Sequence, residues 1–281
     1  MKIFVTNDDG IFASGLAELV QLAQKFGDVL VVAPDSPRSG QSHAVTLNTP
    51  LRLSKYKQEK GVDYYICNGT PTDCVKLGIK VILKNHLPDL LLSGINHGSN
   101  SSTNAIYSGT MAAVVEGAMI GLPSVGFSLL DSSSHADFLP SLPYIEHLIK
   151  KAISVSMEQK KEWVAETMQV RGQDSNSLPK SPFLCWNVNI PKVSAPHIKG
   201  IKVCRQADAV WEEDALERVD PTGEKYYWLE GRFNNTDKGE DTDLYFLSQG
   251  YISLVPTTFD WTDYALLSPL AFLNACKDEI I

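Results

Sequence analysis

Residues 2–33 read KIFVTNDDGIFASGLAELVQLAQKFGDVLVVA, and their rhythm decides the fold. Residues 2–6 and 29–33 are short runs rich in β-branched and aliphatic side chains, the composition of buried strands. Between them Leu16, Leu19, Val20 and Ala23 recur at helical spacing, which predicts a helix over 13–26 with Gly27 as its C-terminal cap. Strand, helix and strand at these lengths make a βαβ unit, and so a parallel sheet.

Working outward, 64–67 reads as another strand. Thr70-Pro71-Thr72-Asp73 is a capping-box pattern with Pro in the first turn, opening a helix to about residue 84. Residues 89–92 form a compact apolar strand. The small-residue run 110–120 reads as a helix packed close to the sheet, stopped by Gly121-Leu122-Pro123, and 124–128 as the next strand. Beyond Asp131 the pattern loosens: an amphipathic helix over 142–155, a polar loop over 170–182, strands over 183–190 and 198–205, and a final strand over 250–255. Residues 212–243 mix Tyr226, Tyr227 and Trp228 with charges and turn residues, which predicts a hairpin projecting from the core. Trp211 and Phe233 bracket the same aromatic segment, whose density suits an oligomer interface, or else closure over the chain's own core. The fold class is α/β with a mostly parallel sheet, and no internal repeat is present.

The 281 residues suffice for one large α/β domain, alone or with an appendage. Hydrophobic residues make up 43% and charged residues 21%, and no apolar run is long enough to span a membrane. The first ten residues lack the apolar length of a signal peptide, so a cytoplasmic protein is expected. Five cysteines (Cys67, Cys74, Cys185, Cys204, Cys276) are scattered without a C-x-x-C pair, which indicates neither a disulfide framework nor a zinc cluster. The net charge of −8 argues against a nucleic-acid polymer as partner. An anionic small molecule would need local help, from a divalent cation or from the N–H groups of a helix N-terminus.

In parallel sheets ligands bind beyond the carboxyl ends of the strands. Four strands here run into polar, glycine-bearing turns: Asn7-Asp8-Asp9-Gly10, Pro34-Asp35-Ser36-Pro37-Arg38-Ser39-Gly40, Asn68-Gly69-Thr70, and Ser93-Gly94-Ile95-Asn96-His97-Gly98. Adjacent carboxylates repel unless a cation or hydrogen bonds absorb their charge, and they are the oxygen donors that Mg²⁺ or Mn²⁺ prefers. Asp8-Asp9 is therefore the first metal candidate, the plain alternative being a turn whose carboxylates cap the helix at Ala13. Ser39, Asn96 and His97 are further donors at strand ends; His97, an isolated nitrogen among oxygens, stays outside the catalytic set. Tyr107-Ser108-Gly109-Thr110 opens a helix whose first N–H groups could hold phosphate, though Ser108 or Thr110 could equally be an ordinary N-cap. The P-loop, dinucleotide and G-x-S-x-G patterns are all absent.

Taken together, Thr6-Asn7-Asp8-Asp9-Gly10, the PDSPRSG run over 34–40, Gly69-Thr70-Pro71-Thr72-Asp73, Gly94-Ile95-Asn96-His97-Gly98-Ser99-Asn100 and Tyr107-Ser108-Gly109-Thr110 closely resemble the SurE family of survival-protein nucleotidases. Asn187–Pro191 (NVNIP) and residues 243–255 look like the family's later segments, whereas 101–104 and 170–182 depart from it. The resemblance implies a Rossmann-like core with helices on both sheet faces over 1–210, and over 211–281 an oligomerisation arm with the last strand. It implies a homodimer or homotetramer, with one divalent cation per subunit, Mg²⁺ or Mn²⁺, held by Asp8, Asp9, Ser39 and Asn96. Ser108, Gly109 and Thr110 would cradle phosphate, with Asn100 assisting.

The activity implied is hydrolysis of nucleoside 5′- and 3′-monophosphates, with polyphosphate as a further substrate. The expected chemistry is in-line attack by a cation-activated water, Asp8, Asp9 and Asn96 forming the catalytic group. A direct aspartyl nucleophile stays open. Two rival readings remain: a non-catalytic nucleotide or phosphate sensor built on the same pocket, and a Mn²⁺-dependent glycosyltransferase, which the missing D-x-D at Asp8-Asp9 weakens.

Overall fold

The computed structural model describes residues 1–133, 135–170, 184–269 and 271. Its strands, in chain order, are β1 (Lys2–Thr6), β2 (Asp28–Pro34), β3 (Leu53–Glu59), β4 (Val62–Cys67), β5 (Leu90–His97), β6 (Ser124–Leu129), β7 (Cys185–Ile190), β8 (Ile201–Val203), β9 (Ala209–Val219), β10 (Lys225–Asn235) and β11 (Ile252–Pro256). Its α-helices are α1 (Ser14–Ala23), α2 (Pro71–Leu77), α3 (Asn104–Tyr107), α4 (Gly109–Met119), α5 (Leu142–Val170), α6 (Asp243–Ser248) and α7 (Tyr264–Leu267). Among the described residues, nine strands form the main sheet in the order β3-β4-β2-β1-β5-β6-β7-β11-β8. The pairings between β4 and β7 are all parallel, and the flanking β3–β4 and β7–β11 pairs are antiparallel.

Period-two alternation explains why helices cover both faces. Ile3 and Val5 of β1 point to one side, where they join Leu16, Leu19 and Val20 of α1 and Ile145 and Ile149 of α5. Phe4 points to the other, with Val75 of α2 and Met111 and Val114 of α4. The chain lays β2 and β4 on one side of β1, then crosses to lay β5, β6 and β7 on the other. That reversal puts the switch point of the sheet between β1 and β5, where parallel sheets open a crevice at their carboxyl ends.

Helix α1 ends at Ala23 with Gln24 as its C-terminal cap, so Gly27 is not the cap. Gly27 is needed for a different reason: a Cβ there would lie 2.2 Å from the Met1 carbonyl oxygen. The capping box at Thr70 is present, with Asp73 N donating to Thr70 Oγ1 and Thr70 N to Asp73 Oδ2. The expected helix to residue 84 is α2 followed by a π-helical turn over Gly78–Ile82. Helix α5 runs to Val170, past the expected end at 155 and into the first residue of the loop expected over 170–182, whose remaining residues lie outside the described ones. Strand β3 was not expected from its sequence, LSKYKQE, whose polar side chains suit a solvated edge. The final strand β11 lies inside the main sheet between β7 and β8, and the 210/211 division falls within β9.

Candidate active site

The two segments that end at the switch point carry the acidic pair and Asn96. Beyond β1, the Asn7 amide donates to the Gly10 carbonyl at 2.9 Å and closes the turn that presents Asp8 and Asp9. Neither carboxylate caps α1: the N-cap, Ala13, has no side-chain cap. Asp9 Oδ2 accepts the backbone N–H of His97 at 3.1 Å, tying the β1 turn to the end of β5. Asn96 Nδ2 donates to the Gly98 carbonyl at 2.9 Å, which leaves the amide oxygen as the end able to accept or ligate.

Burial is the main force on Asp8, raising its pKa to about 6 from an ordinary 3.8; the bond from Thr110 works against this, and the neighbouring Asp9 adds to it. Asp9 is also raised, chiefly by burial, while its contacts with His97 pull the other way. Among the described residues no Lys, Arg or His forms an ion pair with either. Asp8, with the Asn96 amide oxygen and the Ser39 hydroxyl on the same cleft and Asp9 next to it in the chain, has the hard-oxygen chemistry that a divalent cation requires.

Ser39 is exposed on the loop after β2, and its loop is anchored on several sides. Arg38 N donates to the Asp8 carbonyl at 2.7 Å, and Ser42 N to the Tyr107 carbonyl at 3.0 Å. Farther on, His43 Nε2 lies 3.1 Å from Glu116 Oε2, whose other oxygen takes Lys76 Nζ at 2.6 Å. Burial works against the charge of Glu116, and these two bases more than offset it, holding its carboxyl below the usual range.

Helix α4 begins against the acidic pair. Ser108 is its N-cap, its hydroxyl accepting from Met111 N at 3.0 Å, so the capping role considered for this residue is realised. Thr110 Oγ1 donates to Asp8 Oδ1, which commits that hydroxyl to the carboxylate. A Cβ on Gly109 would stand 2.8 Å from Asp8 Cβ, so only glycine lets the helix end come this close. The Gly109 N–H has no partner among the described residues.

These groups converge on a cleft of about 750 Å³ lined by Asp8, Ser39, Asn96, Asn100 and Ser108. Asp9, Gly109 and Thr110 do not line it: Gly109 and Thr110 are buried, and Asp9 is half-buried. Asn100 is braced by Asn187 and Asn189 of β7 and by Ser128 of β6. His97 also lines the cleft, its ring near Ser14 and edge-on to Phe138. Asn104 has no mark of a site residue in the sequence, and Trp211 belongs to the aromatic segment expected at an interface or over the chain's own core, yet Asn104, Trp211 and Glu213 line the same cleft. No local signal could place Trp211 there, because the contact that seats it spans 107 residues.

The family model described as Survival protein SurE matches residues 3–213. The chain belongs to the SurE family. Among its SurE relatives, the 5'-nucleotidase SurE of Flavobacterium psychrophilum is 49% identical over 269 residues, covering 95% of each chain. That of Christiangramia forsetii is 46% identical over 271 residues, covering 96% of this chain and 95% of the relative. The crystal structure of the SurE protein from Aquifex aeolicus superposes with a TM-score of 0.75 at 32% identity, over 97% of this chain and 99% of that one. As a SurE fold, the α/β architecture with its central parallel sheet is the one expected from the opening βαβ unit.

The donors differ in kind, and so should their loss. Asn96→Ala and Ser39→Ala are expected each to lower turnover about tenfold or more at limiting cation, with part recovered at high Mn²⁺. Neutral donors set geometry without supplying the charge that Asp8 and Asp9 carry. Mn²⁺ titration of each variant checks this, and unchanged apparent cation affinity in both would remove them from the ligand set.

Proposed function

We propose that this chain is a divalent-cation-dependent phosphomonoesterase that hydrolyses nucleoside 5′- and 3′-monophosphates, with polyphosphate as a further substrate. The observation that carries the reading is the contact between the N-terminus of α4 and Asp8, with no side chain between them at Gly109. A helix N-terminus favours an anion and adjacent carboxylates, Asp8 buried and Asp9 half-buried, favour a cation, so their junction suits a phosphate that meets both. The printed names of the relatives, 5'-nucleotidase SurE, support a nucleoside monophosphate as the substrate.

Asp8, Asp9, Ser39 and Asn96 would hold one cation per subunit, Mg²⁺ or Mn²⁺, which when bound supplies charge neutralisation and an acidified water. The Gly109 N–H has no partner among the described residues but is buried and does not line the cleft, so the N-terminus of α4 would act on the phosphate chiefly through its dipole. Ser108, with its hydroxyl accepting from Met111, and Thr110, with its hydroxyl on Asp8, would contribute chiefly by fixing the helix end. Asn100, braced on β6 and β7, presents a buried polar edge to the cleft. Phosphate release from 5′-AMP, with Mg²⁺, with Mn²⁺ and with chelator, tests the reading. Nucleotide binding with no turnover under any cation would overturn it in favour of a sensor.

The arm formed by β9 and β10 is proposed as the oligomer interface, giving a homodimer or homotetramer. Among the described residues its strands of 11 residues pair only with each other, and Tyr227, Trp228 and Leu229 toward the tip are exposed. An isolated ribbon with apolar side chains in water is an aggregation hazard unless another subunit covers it. Cytoplasmic placement is proposed on the unpaired state of all four described cysteines. Replacing residues 215–229 by an Asn-Gly turn, which joins the facing pair Asp214 and Glu230, should lower the mass seen by light scattering and leave phosphatase activity measurable. An unchanged mass would refute the interface role.

A further inference from the structure

The base of the arm is built into the cleft. Ser102 N donates to Asp243 Oδ2 at 2.7 Å and Ala207 N to Asp243 Oδ1 at 3.0 Å, so one fully buried carboxylate joins the loop before α3 to the segment before β9. Ser102 Oγ donates to the Ala207 carbonyl at 2.9 Å, and Thr103 Oγ1 donates to that of Ala209. This stitching fixes where β9 starts. Two residues into the strand stands Trp211, its indole Nε1 donating to Asn104 Oδ1 at 2.7 Å and its ring 5.4 Å from that of Phe233.

The indole is thus held at its polar edge and backed by a second ring, yet it stays 44% exposed and lines the cleft. Tyr107, 56% exposed, lines the same cleft and directly precedes Ser108, so aromatic surface adjoins the phosphate end in the sequence itself. Its backbone is pinned by Ser42. An exposed ring of fixed orientation, as Trp211 is, loses little entropy when a flat partner stacks on it, and every nucleobase offers a π-face. Phosphate chemistry alone uses none of this surface.

We propose that Trp211, with Tyr107, forms the nucleobase subsite of the cleft, so that the arm's root sets the preference for nucleotides over other phosphomonoesters. The proposal rests on the phosphomonoesterase reading above. It assigns Trp211 to substrate selection and leaves the outer hairpin to assembly.

The test compares kcat/KM for 5′-AMP with kcat/KM for ribose 5-phosphate, which carries the same phosphate and sugar without a base. The wild-type protein should prefer 5′-AMP, and Trp211→Ala should lower that preference roughly tenfold through KM for 5′-AMP, the size expected for one lost base–aromatic stack. Trp211→Phe should restore most of it. Equal losses on both substrates in Trp211→Ala would overturn the subsite and make Trp211 a structural residue, as would a wild-type protein indifferent to the base. A wild-type protein that hydrolyses neither compound under Mg²⁺ or Mn²⁺ would overturn the phosphomonoesterase reading, and the subsite with it.

Discussion

Asp8→Asn is expected to abolish phosphomonoester turnover while making the metal-free protein more stable near neutral pH. The two effects have one cause. Burial raises the folded-state pKa of Asp8 to about 6, above the ordinary 3.8 of an unfolded chain. Between those values the folded protein binds the proton more tightly than the unfolded one, so the contribution of Asp8 to stability falls as pH rises through this window and stays low above it. At roughly 1.4 kcal/mol per pH unit the difference amounts to about 3 kcal/mol. Asparagine carries no charge to desolvate, and its oxygen can still accept from Thr110, so the variant escapes that cost. The carboxylate belongs there only if a cation repays its burial, and turnover should drop at least about 100-fold without it. Asp9→Asn, at a carboxyl also raised by burial, should lose turnover similarly. Melting in chelator between pH 4 and 7.5, beside turnover at saturating Mn²⁺, checks both halves. A variant that melts lower than wild type at pH 7.5 without metal, or that keeps near-normal turnover, would remove Asp8 from the cation site.

The sheet was legible because buried parallel strands leave a strong local mark. Residues 3–5 and 29–33 are apolar on both sides and 124–128 on one, and each of the three runs is a strand within a residue or two of the expected bounds. The turns after them were legible for the same reason that they are chemical: glycine, adjacent aspartates and asparagines have no place in a buried strand. Strand β3 has no such mark, since LSKYKQE at an edge is held by pairing with β4 and not by side-chain burial. The extent of α5 was missed where its apolar stripe fades after Val155.

What the sequence could not convey is which hydroxyl faces which group. From sequence Ser108 and Thr110 fit equally a phosphate donor and an N-cap; in the structure one caps a helix and the other bonds Asp8, a distinction made by a partner 102 residues away. Trp211 is the sharpest case. Residues 212–214 after it are charged and exposed, and contacts distant in sequence, among them Asp243 with Ser102 across 141 residues and Asn104 with Trp211 across 107, bring its strand to the cleft.

Gly109→Ala, a change of one methyl group, is expected to lower kcat/KM on 5′-AMP by about 100-fold, and Gly109→Val to eliminate turnover. The new Cβ would lie 2.8 Å from Asp8 Cβ, 3.1 Å from Asp8 Oδ2 and 3.2 Å from Pro71 Cγ. Asp8 Cβ sits next to the backbone of a turn tied to both Gly10 and Arg38, so it cannot swing aside like the end of a long side chain. Either α4 retreats or the carboxylate turns, and each opens the junction between the proposed anion and cation seats. A displacement near 1 Å is enough for a loss of about 100-fold in a preorganised site. The strain also falls on the Thr110–Asp8 bond, so cation affinity should weaken together with phosphate affinity, unlike Asn96→Ala, where only the cation term should move. Inorganic phosphate inhibition and Mn²⁺ binding, measured separately on Gly109→Ala and Asn96→Ala, distinguish the two patterns. Wild-type kinetics in Gly109→Ala would mean that the end of α4 has a packing role alone, and the phosphate would have to be sought elsewhere on the cleft.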